Sequence, residues 1–510
     1  MKFIAYDLGT GGVKASLYDE GLYTVCKSFI EYRTYYPHSN YHEQRPEDWW
    51  RGIIESTKAL LEKSGAAGED IACVSLSGQS LVALPMDKDG GLLMGQVPIW
   101  SDTRAGAEAE EFFKAIPERE WYMTTGNGFP APCYSLFELM WMRKNLPDVY
   151  AKTAKVLGSK DYINYKLTGN MYTDHSYASG LGGYDLLAGG FKQEYLSAAG
   201  LTREMFPEIV ASHQIVGYVT GEAAAATGLS TETAVVCGGV DNACMALGAV
   251  GGKDGRIYTS LGSSSWIPLN SKKPVLDPDR RPYVFAHIQE GLFTSAFSIF
   301  SGGSSFQWVR DELCKDLESE GSLYDVMTKM AEGVPVGSNG IFFNPSLAGG
   351  TSQDKSMHIR GAYVGLHLGT TRNDMIRAAM EGIALNLKQS LNYLKLHTEV
   401  SDFMMICGGG SKSQYWMQMF ADVFDMDIIK TNIDQDAASL GAVSIAARGV
   451  GLWENYDRID DLHEVEYRKT PDRKTAELYA KLYGSFIHVN EAMSDLGEYM
   501  FKNRGGFDGE

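Results

Sequence analysis

The sequence predicts an α/β protein in two halves, each a sheet covered by helices. Short apolar strands alternate with segments of helical period, the pattern such sheets leave in a chain. A strand, a glycine turn and a strand come first (Phe3 to Tyr6, Asp7 to Gly12, Val13 to Tyr18). A similar unit returns half a chain later (Arg256 to Leu261, Gly262 to Ser265, Trp266 to Pro268). The 510 residues suffice for two or three domains with large cores.

Each element has its own local reason. After the opening hairpin, Tyr32 to Gln44 is polar and aromatic without a period, so a loop is expected. Pro46 starts a helix, Trp49, Trp50, Ile53, Ile54, Thr57, Leu60 and Leu61 recur at helical spacing, and Gly65 ends it. Ile71 to Ser77 reads as a buried strand ending at Gly78-Gln79. Leu81 to Met86 continues extended, and Asp87 to Gly91 is a turn. From there to about Leu229 the chain reads as mostly helical, with Gly- and Tyr-rich loops between Thr168 and Gly190. Ala234 to Cys237 is a short strand, and Gly238-Gly239-Val240-Asp241-Asn242 leads into a small-residue helix, Ala243 to Val250. The second half repeats the grammar with the hairpin at 256–268, a strand at Phe403 to Cys407, Gly408-Gly409-Gly410, and an amphipathic helix through Trp416, Met419 and Phe420. The tail from about Glu454 to Glu510 reads as helix plus a frayed end.

Composition narrows the function. Hydrophobic content of 44% and charged content of 22% are those of an ordinary globular protein. Lys+Arg 46 against Asp+Glu 64 gives a net charge of −18, which argues against nucleic acid or an anionic membrane as partner. An anionic ligand such as ATP is then expected to arrive with Mg²⁺ and to be held mainly by backbone amides. The seven cysteines form no C-x-x-C pair and read as the buried thiols of a reduced protein. The first apolar stretch is broken at Asp7, too early for a secretory signal, and no apolar run approaches the ~20 residues that span a bilayer. The cytoplasm follows by elimination.

Glycine lets a backbone approach an anion, and successive N–H groups in such a turn form an anion-binding concavity. The two hairpin tips therefore suggest two lobes gripping one phosphorylated ligand. Asp7, at the end of the first strand, can hold Mg²⁺ through water, although Asp is also a common turn residue. Asp241 reads either as a helix N-cap or as a general base kept ionised by the helix N-terminus, with glycines leaving room for a hydroxyl beside it. Gly408-Gly409-Gly410 permits close approach of a nucleotide or is simply a tight connection. Gln79, Ser80, Trp100, Asp102 and Arg104 form a polar-aromatic set suited to a polyhydroxylated substrate, or else a buried Trp and a structural Asp–Arg pair. No H-E-x-x-H, G-x-S-x-G or Walker G-x-x-x-x-G-K-[ST] motif occurs.

In their order along residues 1 to about 450, these motifs resemble the FGGY carbohydrate kinases, with the xylulokinase branch nearest. The motifs are Asp7-Leu8-Gly9-Thr10-Gly11-Gly12-Val13-Lys14, Glu43 to Trp50, Ser77-Gly78-Gln79, Trp100-Ser101-Asp102-Thr103-Arg104, Lys160-Asp161-Tyr162 with Leu167-Thr168-Gly169, Gly238 to Asn242, Ser260 to Ser264, Gly408 to Ser413 and Ala438 to Ala442. The resemblance implies an actin-like ATPase fold, two ribonuclease-H-like domains at 1–250 and 251–510, with ATP and sugar in the cleft between them. It implies ATP-dependent phosphorylation of a sugar or polyol hydroxyl. Asp241 is similar to the family's catalytic base and Asp7 to its Mg²⁺-associated carboxylate. Thr10, Gly11 and Gly12, with Lys14 beside them, match the first phosphate turn, and Gly262, Ser263 and Ser264 the second. Gly408, Gly409 and Gly410, with Ser413, match the adenosine side. The implied sugar set is Gln79, Ser80, Leu81, Trp100, Asp102 and Asn242.

Two segments depart from the family. Gln79-Ser80-Leu81-Val82 stands where xylulokinases carry Gln-Met-His-Gly, so Leu81 removes an imidazole that would bond a sugar hydroxyl. Leu347 to Ser352 stands where Ser-Gly-Glu-Arg-Thr-Pro is usual, which removes a Glu-Arg pair from the interdomain contacts. D-xylulose is the leading expectation. Gluconate, another ketopentose, a deoxy-ketose and a polyol stay open, as does a homodimer. An actin- or chaperone-like ATPase and a sugar-binding regulator without catalysis are the readings from other classes.

Overall fold

Seven residues, Lys2–Leu8 (β1), and a second seven, Gly12–Tyr18 (β2), pair antiparallel around the first glycine turn, with Asp7 opposite Lys14 and Leu8 opposite Val13. The computed structural model describes residues 1–318 and 321–503. Thr24–Glu31 (β3) continues the meander beside β2. Ile71–Gly78 (β4) lies parallel to β1 on the other side, and Ala234–Val236 (β6) parallel to β4. Ile215–Tyr218 (β5) closes that edge antiparallel, and Gly239–Val240 (β7) extends along the end of β4. The sheet order is β5-β6-β4-β1-β2-β3. β1 and β4 are buried on both faces, which is why they read as almost continuous apolar runs.

The second sheet has the same plan. Tyr258–Leu261 (β8), Ser265–Ser271 (β9) and Phe293–Ile299 (β11) form an antiparallel meander around the second glycine turn, with Tyr283–Ala286 (β10) at its edge. Phe403–Cys407 (β12) runs parallel to β8 and Asp427–Thr431 (β13) parallel to β12. Val465–Lys469 (β14) adds an antiparallel edge. The tail is thus not all helix. It supplies β14 and then a helix, Arg473–Lys502. Most of β14 is exposed and charged, so it carries no apolar alternation to betray it. The frayed end expected beyond that helix lies outside the described residues.

Helix α1 (Pro46–Ser64) begins with Pro at its first turn, stops at left-handed Gly65, and buries Trp49, Ile53, Thr57 and Leu60. The extended stretch expected from Leu81 is a strand only over Leu84–Met86, because Leu81 itself adopts a left-handed φ of 58°. The region to Leu229 also holds short strands, among them Lys155–Leu157 and Tyr172–Asp174.

Two small-residue helices join the halves. Asp241–Val250 (α2) crosses Ala437–Gly449 (α3), and α3 also lies against β1 and β4 of the first sheet. One apolar core runs through Phe3, Ala5, Leu247, Leu440 and Val443. At the crossing, a Cβ on Gly248 would collide with the Ala437 carbonyl and one on Gly441 with the Cys244 carbonyl. Only backbones lacking those atoms can approach so closely. All seven cysteines are free thiols. Among the described residues no helix is long and apolar enough to cross a membrane.

Gly441→Ala should therefore lower stability by about 2 kcal/mol or more, since backbone must part to admit the methyl. Gly484→Ala, in open space on the Arg473–Lys502 helix, is the control and should be neutral or slightly stabilising. Thermal melts of the two variants check this, and equal melting temperatures would contradict the crossing.

Candidate active site

The turn Cys237–Val240 delivers Asp241 to the first turn of α2. Gly238 makes that turn at φ 75°, and a Cβ there would strike the Leu76 backbone. β7 pairs with Ser77 and Gly78, so Asp241 emerges beside the end of β4 and near Asp7. Its Oδ1 accepts a hydrogen bond from the Asn242 N–H at 2.7 Å, and the residue is half-buried. Burial pushes the carboxyl up to about 7; the Asn242 N–H opposes this and the Asp7 charge adds to it. Burial thus opposes the ionised form that the helix N-terminus is expected to favour. A carboxyl near 7 is better matched to accepting a proton at neutral pH.

Asp7 lies half-buried with Oδ1 taking the Ser77 hydroxyl at 3.0 Å. Burial raises its carboxyl, while Lys14 and the Ser77 hydroxyl pull it back. The first turn is braced from outside. Gly9 N–H donates to the Gly12 carbonyl at 3.1 Å, Gln44 Nε2 to the Thr10 carbonyl at 2.7 Å, and Trp100 Nε1 to Thr10 Oγ1 at 2.9 Å. Gln79 Nε2 and Trp49 Nε1 both donate to Gln44 Oε1, at 2.8 and 2.9 Å. Gln44 is thus a turn-holding residue that its place in an expected loop concealed.

The second turn presents exposed Ser263 and Ser264 at its tip. Its carbonyls are held by residues the sequence reading did not single out. Gly303 N–H donates to the Gly262 carbonyl at 2.9 Å and Ser304 N–H to the Ser263 carbonyl at 3.0 Å. Gly408 and Gly410 pack against Leu261, directly before this turn, and Gly409 is open. Gly408 N–H donates to Asp434 Oδ1 at 2.7 Å. Ser413 caps the helix Gln414–Phe424 through the Trp416 N–H at 3.3 Å.

The sugar set divides. Ser80, Leu81 and Asn242 line one small pocket of about 40 Å³, together with Asn127, Phe129, Tyr134, Ser176 and Val240 of the first half and Tyr283, Val284 and Phe285 of β10. Gln79, Trp100 and Asp102 do not line it. Gln79 and Trp100 brace the first turn instead. Asp102 is fully buried, with Arg104 bonded to both of its oxygens and the His42 N–H at 2.7 Å. Arg104 also reaches Glu43 at 2.6 Å and sits over the Tyr41 ring. Asp102 thus belongs to the structural Asp–Arg pair and does not line that pocket. Lys14 differs from expectation too. Its Nζ donates to the Gln435 carbonyl at 2.7 Å and pairs with Asp436 at 3.9 Å, tying the first hairpin to the loop before α3. On the pocket side, Arg281–Glu118 at 2.7 Å and Arg119–Asp279 at 3.2 Å bridge the halves, and Val284 N–H donates to the Gly126 carbonyl at 2.8 Å.

The family profile described as "FGGY family of carbohydrate kinases, N-terminal domain" matches residues 2–248, and its C-terminal counterpart residues 257–450. The chain is 28% identical over 509 residues to a protein named xylulose kinase from Bacillus subtilis (strain 168), covering 97% of this chain and 98% of that one. It is 28% identical over 501 residues to a gluconokinase from Bacillus licheniformis, covering 96% of each. The crystal structure of xylulose kinase from Rhodospirillum rubrum superposes with a TM-score of 0.89 at 26% identity, covering 98% of this chain and 100% of that one. The two sheets and their cleft are the actin-like architecture that the motifs led us to expect.

The raised Asp241 carboxyl has a consequence for the ligand-free protein. An unfolded Asp ionises near 3.9, so between that pH and about 7 the folded chain holds this proton more tightly and its loss costs stability. The cost is complete above 7. Asp241→Asn should therefore melt higher than the parent at pH 8, with the gain gone near pH 4. Equal melting at pH 8 would contradict the burial of this charge.

Proposed function

Since the chain belongs to the FGGY family of carbohydrate kinases, we propose that it transfers the γ-phosphoryl group of ATP to a hydroxyl of a neutral keto-sugar, with Asp241 as general base. One observation carries the reading: a half-buried carboxyl pushed to about 7 lies in the chain between Val240 and Asn242, which line the pocket together with Ser80 and Asn127. The sugar hydroxyl hydrogen-bonds to Asp241, its oxygen attacks the γ-phosphorus, the proton passes to the carboxylate and ADP leaves. The N–H groups of the turns at Thr10–Gly12 and Gly262–Ser264 face the phosphates, and Gly408–Gly410 lie on the adenosine side. Mg²⁺ arriving with the nucleotide would neutralise phosphate charge. Asp7, a half-buried carboxylate near the end of β1, would hold that ion as an oxygen donor.

Xylulose and gluconate kinases are comparably similar to the chain, so the pocket must choose. None of its lining side chains is cationic, and Asp241 stands beside it. An aldonate carboxylate would enter without a partner and against a like charge, which costs several kcal/mol if it is desolvated there. A ketopentose such as D-xylulose meets neither penalty, and the cytoplasm, where ATP is supplied, is its proposed setting.

An ADP-release screen over ketoses, aldonates and polyols tests the substrate class, and turnover of gluconate above every ketose would overturn it. Asp241→Ala should bind ATP normally and lose about 10²–10⁴ in kcat. For the parent, kcat/KM should rise with pH through one ionisation near 7 and then level off, because only the ionised base accepts the proton. Near-normal turnover of the variant, or a flat profile, would remove Asp241 from the role.

A further inference from the structure

Behind the turn that presents Asp241 sits a buried ion cluster that the phosphoryl transfer itself does not use. Lys160 is fully buried, with Nζ at 2.6 Å from Asp161 and 3.0 Å from Asp174, both also buried. Asp174 is the hub. Its Oδ1 takes Lys160, and its Oδ2 takes the hydroxyls of Ser176 and Ser212, the latter at 2.8 Å. Each of those three partners touches the base-presenting turn. Lys160 Nζ donates to the Cys237 carbonyl at 3.2 Å. The Gly238 N–H donates to the Ser212 carbonyl at 2.9 Å. The Val240 N–H donates to Ser176 Oγ at 3.0 Å. A single carboxylate thus organises contacts to positions 237, 238 and 240, directly before Asp241.

The energetics favour a positional role. A buried ammonium–carboxylate cluster seldom adds net stability over apolar packing, yet its hydrogen-bond directions are stiff. The turn it grips has a left-handed glycine and no side-chain packing of its own at Gly238 and Gly239, so external bonds must set its path. A base displaced by about 1 Å loses roughly 10²-fold in rate.

We infer that Asp174 is a positioning residue for Asp241, acting through Lys160, Ser176 and Ser212 on the backbone of the Cys237–Val240 turn. The inference rests on Asp241 being the base. Asp161 provides an internal control. It shares the same lysine and the same burial, but its other oxygen takes the Gly158 N–H at 3.2 Å rather than the hydroxyls that lead to the turn.

The test compares full-length Asp174→Asn, Asp161→Asn and Ser176→Ala, with Asp241→Asn alongside, by steady-state kinetics on the best ketose found. Both buried carboxylate variants should lose thermal stability. Asp174→Asn alone should lose roughly 10–100-fold in kcat with the KM for ATP within about twofold, and should move the acid limb of the kcat/KM profile. Equal kcat in the folded Asp174→Asn and Asp161→Asn enzymes, with an unmoved acid limb, would overturn the inference. Ser176→Ala keeps both charges and decides the matter if Asp174→Asn does not fold. A fall in kcat at unchanged sugar KM supports the relay. A rise in sugar KM alone assigns Ser176 to the sugar and refutes it. An active Asp241→Asn enzyme would sink the base reading itself, whereas an inactive one beside normal Asp174→Asn and Ser176→Ala enzymes would sink only the relay.

Discussion

The contact on which the rest depends is the crossing of α2 and α3 at Gly248 and Gly441. It lets two backbones approach to a separation that any Cβ would forbid. α2 begins with Asp241, and α3 is preceded by the loop carrying Asp434, Gln435 and Asp436. That loop takes the Gly408 N–H on Asp434 and Lys14 on Gln435, while Lys27 also pairs with Asp436. Gly408 in turn rests on Leu261 at the foot of the second turn. One crossing therefore sets the base, the first hairpin and the second turn in register, although they come from positions as far apart in the chain as Lys14 and Asp436.

Electrostatics act on this frame in one direction. Burial raises the carboxyls of Asp7 and Asp241, the Asp7 charge adds to the cost of ionising Asp241, and Lys14 offsets part of this at Asp7 alone. A chain of net charge −18 that handles a polyphosphate cannot attract it by bulk field. It can offer oriented N–H groups, which carry no net charge.

Much of this was legible in the sequence, where the signal is local. The hairpins, α1 with its proline start and glycine stop, and the Gly238–Asn242 turn are dictated by neighbouring residues, and the structure keeps them. Roles that depend on distant packing were not legible. Asp102 and Ser80 look equally polar in sequence, yet Arg104 and the His42 N–H consume the first while the second faces the pocket. Lys14 stands where a phosphate ligand is expected, but the loop before α3 reaches it first. Asn127, Ser176 and Tyr283 join the pocket from three separate regions, and nothing near any of them announces a ligand. Gln44 lies in a stretch without periodicity, and its service to the Thr10 carbonyl follows only from the fold.

The composition of the pocket ties substrate recognition to the arrangement of the halves. Its floor, Ser80, Leu81 and Asn242, belongs to the first half, whereas Tyr283, Val284 and Phe285 come from an edge strand of the second. The Tyr283 ring packs on Phe129 with centroids 4.6 Å apart, so the two lobes touch through the wall of this pocket. A ligand seated there would contact both lobes, and its binding free energy would change with their separation. Transfer to water needs no such contact and gains nothing from it, so a wall shared by both lobes favours the sugar over water as acceptor. Leu81 adds to this selectivity. A leucine held at φ 58° is costly, and such conformations persist only where the surroundings over-determine them. Leu81 places an apolar side chain on the pocket at the position where a hydrogen-bonding one is expected, beside the polar groups of Ser80, Asn127 and Asn242.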